Sequence, residues 1–415
     1  MIQRAASRPV ADPTDAAVPS DIRGQAAPGQ TVPHGAPLRL AVLRLAVSEF
    51  RCYAAAELEC GAESVVLTGP NGAGKTNLLE AVSFLAPGRG LRRATLAEVE
   101  RRGADRRWAV SATVSGPVGP LSIGTGRDPD SSADGDRRVV RIDGVAQRGP
   151  AALAEHVALT WLTPAMDRLF ADGSSGRRRF VDRLALGFDP VHARRVAAFE
   201  QAMRERARLL EAGGADAGWL DALEATMASE GVAVAAARKT LVDRLAVLAG
   251  DGEAASDGAF PAPSMTMAGE LAGWLDVMPA LEAEERLAAA LAQSRRRDAD
   301  TGGAGAGPQR DDLAVAYRAK DTPARQCSTG EQKALLIAIV LAHARLVAAE
   351  RGRAPLLLLD EIAAHLDPSR RQALFREIGR IGAQAWMTGT DEMLFAPLTG
   401  RARFYRVAEA RLQPR

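Results

Sequence analysis

The chain has 415 residues, 47% hydrophobic and 25% charged, a balance that excludes a wholly disordered polymer and sets an expectation of two or three domains. Fifty-three basic against 51 acidic residues leave a formal charge of +2, so any polyanion site has to be a local patch. Three cysteines without CxxC spacing (Cys52, Cys60, Cys327) and scattered histidines support neither a disulfide framework nor a structural zinc site. No leader and no apolar run of about 18 residues is evident, which predicts a cytoplasmic protein with no membrane partner. Only four basic residues are lysines (Lys75, Lys239, Lys320, Lys333), so each needs its own explanation.

Residues 1–37, rich in Ala, Pro, Gly and Asp without apolar periodicity, read as a disordered tail. From Leu38, LRLAVLRLAVSEFRCY, AAELEC and SVVLTGP read as strands, followed by a helix from the glycine-rich loop to about Leu85. Strand-like alternation returns between Trp108 and Ile142 around Gly/Pro/Asp turns. From about Pro150 to Gln293 apolar residues recur at spacings of three and four, which predicts a helical insert broken by turn-rich linkers at 250–268 and 298–308. After Asp311, LAVAYRA resumes the sheet, then come a long helix from Ser328, PLLLLDE, a helix near 368–382, AWMTGTD and FYRV. Residues 38–148 and 309–415 therefore read as one α/β domain, with 149–308 inserted between its halves.

Gly69-Pro70-Asn71-Gly72-Ala73-Gly74-Lys75-Thr76 fits GxxxxGK[ST] and lies between a predicted strand and a helix start. These residues, with Asn77 next, form a candidate ATP cradle. Its backbone N–H groups face phosphate, Lys75 reaches the β and γ phosphates, and Thr76 ligates Mg²⁺. Leu356 to Leu359 read as a buried parallel strand ending on Asp360-Glu361. Asp360 is the second candidate Mg²⁺ ligand, and Glu361 the residue that polarises the attacking water, with Lys75 and Asp360 completing the candidate catalytic set. Ser328 and Glu331 stand in capping-box spacing at the head of an apolar helix, and Ser328-x-Gly330 at such a helix start also suits an anion.

FRCYAAAEL, GPNGAGKTNLLEAVSFLAPGRGLR, GPQRDDL, CSTGEQKALLIAIVLAHA, LLLLDEIAAHLD and WMTGTD, in this order, resemble the RecF family of bacterial recombination mediators, related to SMC-type ATPases. The resemblance spans nearly all of 38–415. It implies an ABC-type P-loop ATPase head with an inserted, mostly helical lid domain, and a weak ATPase acting as a switch. It also implies an ATP-sandwiched homodimer on double-stranded or gapped DNA that helps RecO and RecR load RecA. In that architecture Ser328 and Gly330 meet the γ-phosphate held by a second subunit, Asp367 occupies the D-loop position, and Arg51 in FRCY touches nucleotide. The sequence departs from the family at Gln309, where His is usual, and at Thr163-Pro164, where no Q-loop glutamine stands. An SMC-type bridging ATPase is the alternative, although its insert would be far longer and heptad-patterned. An ABC transporter nucleotide-binding subunit is a weaker one, because it would keep Gly74 and Ser328 much closer.

The candidate DNA-binding residues are Arg89, Arg92 and Arg93 after the P-loop helix and Arg177, Arg178 and Arg179 in the insert. Arginines without interleaved aromatics suit sequence-independent contact with duplex phosphates rather than base stacking. A solvated helix face is the alternative for each cluster.

Overall fold

The computed structural model describes residues 39–116, 119–130, 137–213, 216–255 and 258–415; the tail read at 1–37 lies outside them. In chain order, β1 (Val42–Phe50), β2 (Tyr53–Glu59) and β3 (Ser64–Thr68) lead into α1 (Lys75–Ser83) and the single turn α2 (Leu96–Val99). Then come β4 (Ala109–Ser115), β5 (Pro120–Arg127), β6 (Arg138–Ile142), β7 (Val145–Ala146) and β8 (Leu159–Leu162). The helices α3 (Ser174–Ala185), α4 (His192–Ala212) and α5 (Ala217–Ala255) precede β9 (Pro263–Ala268), α6 (Glu270–Val277) and α7 (Ala280–Thr301). The last part holds β10 (Asp312–Tyr317), β11 (Thr322–Pro323), α8 (Thr329–Arg351), β12 (Leu356–Leu359), α9 (Pro368–Ile381), β13 (Ala385–Gly389), β14 (Ala402–Ala408) and β15 (Arg411–Pro414).

Three sheets result. The central one has the order β15-β14-β3-β13-β12-β8, parallel except for the antiparallel edge strand β15. Its strands are apolar at successive positions because both faces are covered. Leu356 and Leu358 enter one core with Val65, Leu67, Leu159 and Trp386, while Leu357 and Leu359 enter the other with Val66, Leu162, Ala385 and Met387. The first core is closed by α1 and by the antiparallel sheet β2-β1-β4-β5-β6-β7. The second is closed by α8, α9, α3 and the later part of α5. The earlier part of α5 packs with α4, α6 and α7 around Met227, Val232, Leu287 and Leu291, so this helix joins two cores.

The structure corrects three details. The stretch 149–308 is not α-helical from its start: a 3-10 helix over Pro150–Glu155 leads into β8, which pairs in parallel with β12, and α-helix begins at Ser174. The supposed linker at 250–268 contains the end of α5 and strand β9, whose SMTM alternates exposed and buried. LAVAYRA forms β10, which pairs with β9 and β11 in a separate three-stranded sheet rather than rejoining the central one. Helix α8 is long and apolar enough to cross a membrane by length and composition, yet 78% of its most apolar stretch is buried inside the fold.

Candidate functional site

The parallel strands deliver their carboxyl ends to one edge, where open α/β sheets place ligands. Strand β3 opens there into Gly69–Gly74. A Cβ on Gly69 (φ +147°) would stand 2.0 Å from the Val407 carbonyl oxygen, and one on Gly74 (φ +112°) would stand 2.6 Å from Tyr53 Oη, so this backbone path admits no side chain at either position. Pro70, Asn71 and Gly72 form the exposed tip, while Ala73, Gly74 and Lys75 are buried. Lys75 begins α1, and its ammonium donates to Gly69 O at 2.8 Å and Pro70 O at 3.0 Å, with Glu361 Oε1 3.4 Å away. This cation is held inside the loop's arch.

Asp360 follows β12 directly and is gripped by two hydroxyls. Thr76 Oγ1 donates to its Oδ1 at 2.9 Å and lies 3.2 Å from Oδ2, while Thr388 Oγ1, from β13, donates to Oδ1 at 2.7 Å. Thr388 Oγ1 in turn accepts from the Glu361 N–H at 2.8 Å, locking the next residue, whose φ of +50° turns the chain sharply off the strand. A hydroxyl and a carboxylate converging at hydrogen-bond distance are hard oxygen donors, too few for an all-protein cage. That set suits Mg²⁺, which keeps waters and phosphate oxygens for its remaining positions. Among the described residues no cluster of three or more His, Cys, Asp or Glu could hold a metal by itself. Thr388 was not singled out from the sequence; its signal is a polar residue in a strand buried at every position.

Arg51 stands in the β1–β2 turn at φ +55°. It forms a two-pronged ion pair with the fully buried Glu80 of α1 (2.8 and 2.6 Å) and donates to Glu98 O at 2.6 Å. Arg92 reaches the same carboxylate at 2.8 Å and Asn77 Oδ1 at 2.7 Å, and Asn77 Nδ2 donates to Cys52 Sγ at 3.1 Å. Glu80, also unnoticed in the sequence, thus ties both arginines to the helix behind the P-loop.

Ser328 caps α8 through the capping box its spacing predicts, and Gly330 is exposed with open space where a side chain would be. Among the described residues no hydrogen bond or ion pair joins Ser328–Gly330 to Gly69–Asn77 of the same chain. Asp367 caps α9, accepting from the Arg370 N–H at 3.0 Å and from Ser369 Oγ at 2.6 Å; the Ser369 hydroxyl, then the Arg370 N–H, hold its carboxyl below the usual range. Where the Q-loop glutamine is missing, Asp167 ion-pairs with the buried Lys333 of α8 at 3.2 Å. Gln309 donates to Ala304 O and Ala306 O, bracing the loop before β10.

The six candidate DNA-binding arginines divide. Arg177 binds both oxygens of Asp312 at 2.8 Å and three carbonyls, Leu169 O, Phe170 O and Asp172 O. Arg178 donates to Ser174 Oγ and Asp311 O, each at 2.8 Å. Both are committed to the junction of α3 with β10. Arg89, Arg92, Arg93 and Arg179 are exposed.

A family model described as the RecF/RecN/SMC N-terminal domain matches residues 41–396. The DNA replication and repair protein RecF of Rhizobium meliloti (strain 1021) is 49% identical over 376 residues, covering 91% of this chain and 99% of the relative. The chain belongs to the RecF family. The RecF of Rhizobium rhizogenes (strain K84 / ATCC BAA-868) is likewise 49% identical over 372 residues, 90% of this chain and 98% of that one. A solved structure of the recombination mediator protein RecF with ATP has TM-score 0.77 at 19% identity, covering 92% of this chain and 99% of the other, so the RecF fold is shared throughout.

Proposed function

We propose that this chain is an ATP-dependent DNA-binding protein of recombinational repair and replication-fork maintenance. It binds ATP with Mg²⁺, closes a homodimer around two nucleotides on double-stranded or gapped DNA, hydrolyses ATP slowly, and helps load RecA with RecO and RecR. The observation that carries the nucleotide reading is the convergence of Lys75, Thr76, Asp360 and Glu361 at one sheet edge. The DNA-repair reading rests on RecF family membership.

In this reading the loop N–H groups and Lys75 bind the phosphate chain, and Lys75 exchanges its carbonyl partners for phosphate oxygens. Thr76 and Asp360 would hold Mg²⁺, which supplies charge neutralisation at the β and γ phosphates. Glu361, positioned by the Thr388 hydroxyl on its N–H, orients and polarises the attacking water. Helix α8 offers Ser328 and Gly330 to the partner's nucleotide. In this reading the head (38–148 with 309–415) also takes in β8, and the rest of 149–308 forms a lid whose α-helices begin at Ser174.

Roles separate by substitution. Lys75→Ala weakens equilibrium ATP binding at least tenfold, whereas Glu361→Gln keeps binding and loses most hydrolysis. Equal loss of binding in both would contradict this division.

A further inference from the structure

The hydroxyl that opens α8 has one proton, and it is already in use. Ser328 Oγ donates to Glu331 Oε2 at 2.9 Å, and the Ser328 N–H donates to the same oxygen at 2.9 Å. The Glu331 N–H donates back to Ser328 Oγ at 3.4 Å. The other carboxylate oxygen, Oε1, pairs with the Lys320 ammonium, which lies 5.1 Å from the centre of the Tyr317 ring. Lys320, together with the Ser328 donors, holds the Glu331 carboxyl at about 2, so it is charged throughout the physiological range. An anion belonging to the chain itself therefore sits on donors of the helix start.

We propose that Glu331 competes with the γ-phosphate of a partner subunit's nucleotide for the start of α8, that Lys320 is its counter-ion, and that together they set how tightly ATP closes the dimer. This rests on the shared-site reading above. Ser328 cannot give its proton to a phosphate while it serves Glu331, so an incoming anion must displace the carboxylate or be seated beside a like charge. A terminal phosphate has the charge and the acceptor oxygens to win that exchange at a positive helix end. A nucleotide ending at its β-phosphate brings no group to that place. Lys320 cancels the carboxylate's charge while the phosphate approaches and keeps hold of it once displaced. A plain helix cap would need neither the charge nor the lysine.

Glu331→Gln separates the two roles, since glutamine's carbonyl still accepts from Ser328 but carries no charge. On a Glu361→Gln background, dimer dissociation constants are measured by sedimentation equilibrium with ATP and with ADP. Monomer ATP affinity and melting temperature are controls. Adding Glu331→Gln should tighten the ATP dimer about five- to tenfold and leave behaviour with ADP unchanged, because ADP brings no phosphate to compete; Lys320→Met should weaken the ATP dimer by a similar factor. Lys320→Met combined with Glu331→Gln should match Glu331→Gln alone, because the lysine then has no charge to cancel. If Glu331→Gln leaves the ATP constant unchanged while the parent dimerises with ATP, the proposal is wrong and the shared site stands. If the parent stays monomeric with ATP, both fail.

Discussion

Asp360 would be an ordinary strand-end acid without the two hydroxyls that aim it. Thr76 was legible because the loop motif names it; Thr388 was not, because the contact to Asp360 spans 28 residues and comes from a neighbouring strand. Thr388→Val removes that hydroxyl at nearly constant volume, and with it both the bond to Asp360 and the acceptor of the Glu361 N–H, a loss of about 1 kcal/mol for each. We expect roughly fivefold weaker Mg²⁺-dependent ATP binding by titration calorimetry, with Mg²⁺-free binding unchanged; equal values for both proteins would show that Thr76 alone orients Asp360. Asp311 is the opposite case, a buried carboxylate with no side-chain hydrogen-bond partner, facing only the backbone of the first turn of α6. Burial pushes it up to about 6, against the opposing pull of the N-terminal turn of α6 (Ala272, Leu271) and of Arg238 and Arg178. Because its folded value lies above the unfolded one, its stabilising contribution is complete below about pH 4 and is lost as pH rises through about 6. Asp311→Asn should therefore gain on the order of 2 kcal/mol over wild type at pH 8 and little or nothing at about pH 3.5, read by urea unfolding at both values. An advantage independent of pH would mean the carboxyl titrates normally.

At the scale of elements, local patterns identified most strands and helices but not their neighbours. LAVAYRA reads plainly as a strand, yet its partner β9 contains a proline, a serine and two methionines and follows apolar, turn-rich sequence, so its pairing was invisible. Likewise RRR at 177–179 reads as a basic face, while the acids that consume two of its members, the Asp312 side chain and the Asp311 carbonyl, lie more than 130 residues away. The structure therefore splits that cluster by function. Arg179→Ala should lower the log–log salt slope of duplex binding by about one, since an exposed guanidinium can release counterions. Arg178→Ala should leave the slope alone and cost about 1 kcal/mol of stability through its lost hydrogen bonds. A salt titration on both variants with denaturant melts decides this; a slope change in Arg178→Ala alone would reverse the assignment.

Taken whole, the molecule places its two motif groups on separate supports. The P-loop and Asp360 stand at the carboxyl edge of the central sheet, whereas Ser328 begins a helix buried in the core on the far side from α1. The sequence carried both groups legibly because each is contiguous, and it carried the head's α/β character because β3, β12 and β13 are apolar runs. It did not carry the distance between the groups, which depends on how β8 and the helical segment between them fold back. In the proposed reading a second chain completes the nucleotide site, one chain binding phosphate at the sheet edge while its neighbour presents the helix start. Dimerisation and ATP binding must then strengthen each other by the same factor. The most direct test is sedimentation of Glu361→Gln at micromolar concentration with saturating ATP and Mg²⁺, beside Glu361→Gln carrying Ser328→Arg. The account predicts a dimer for the first and a monomer with unimpaired ATP binding for the second. A monomer in the first, or an equally stable dimer in the second, would contradict it.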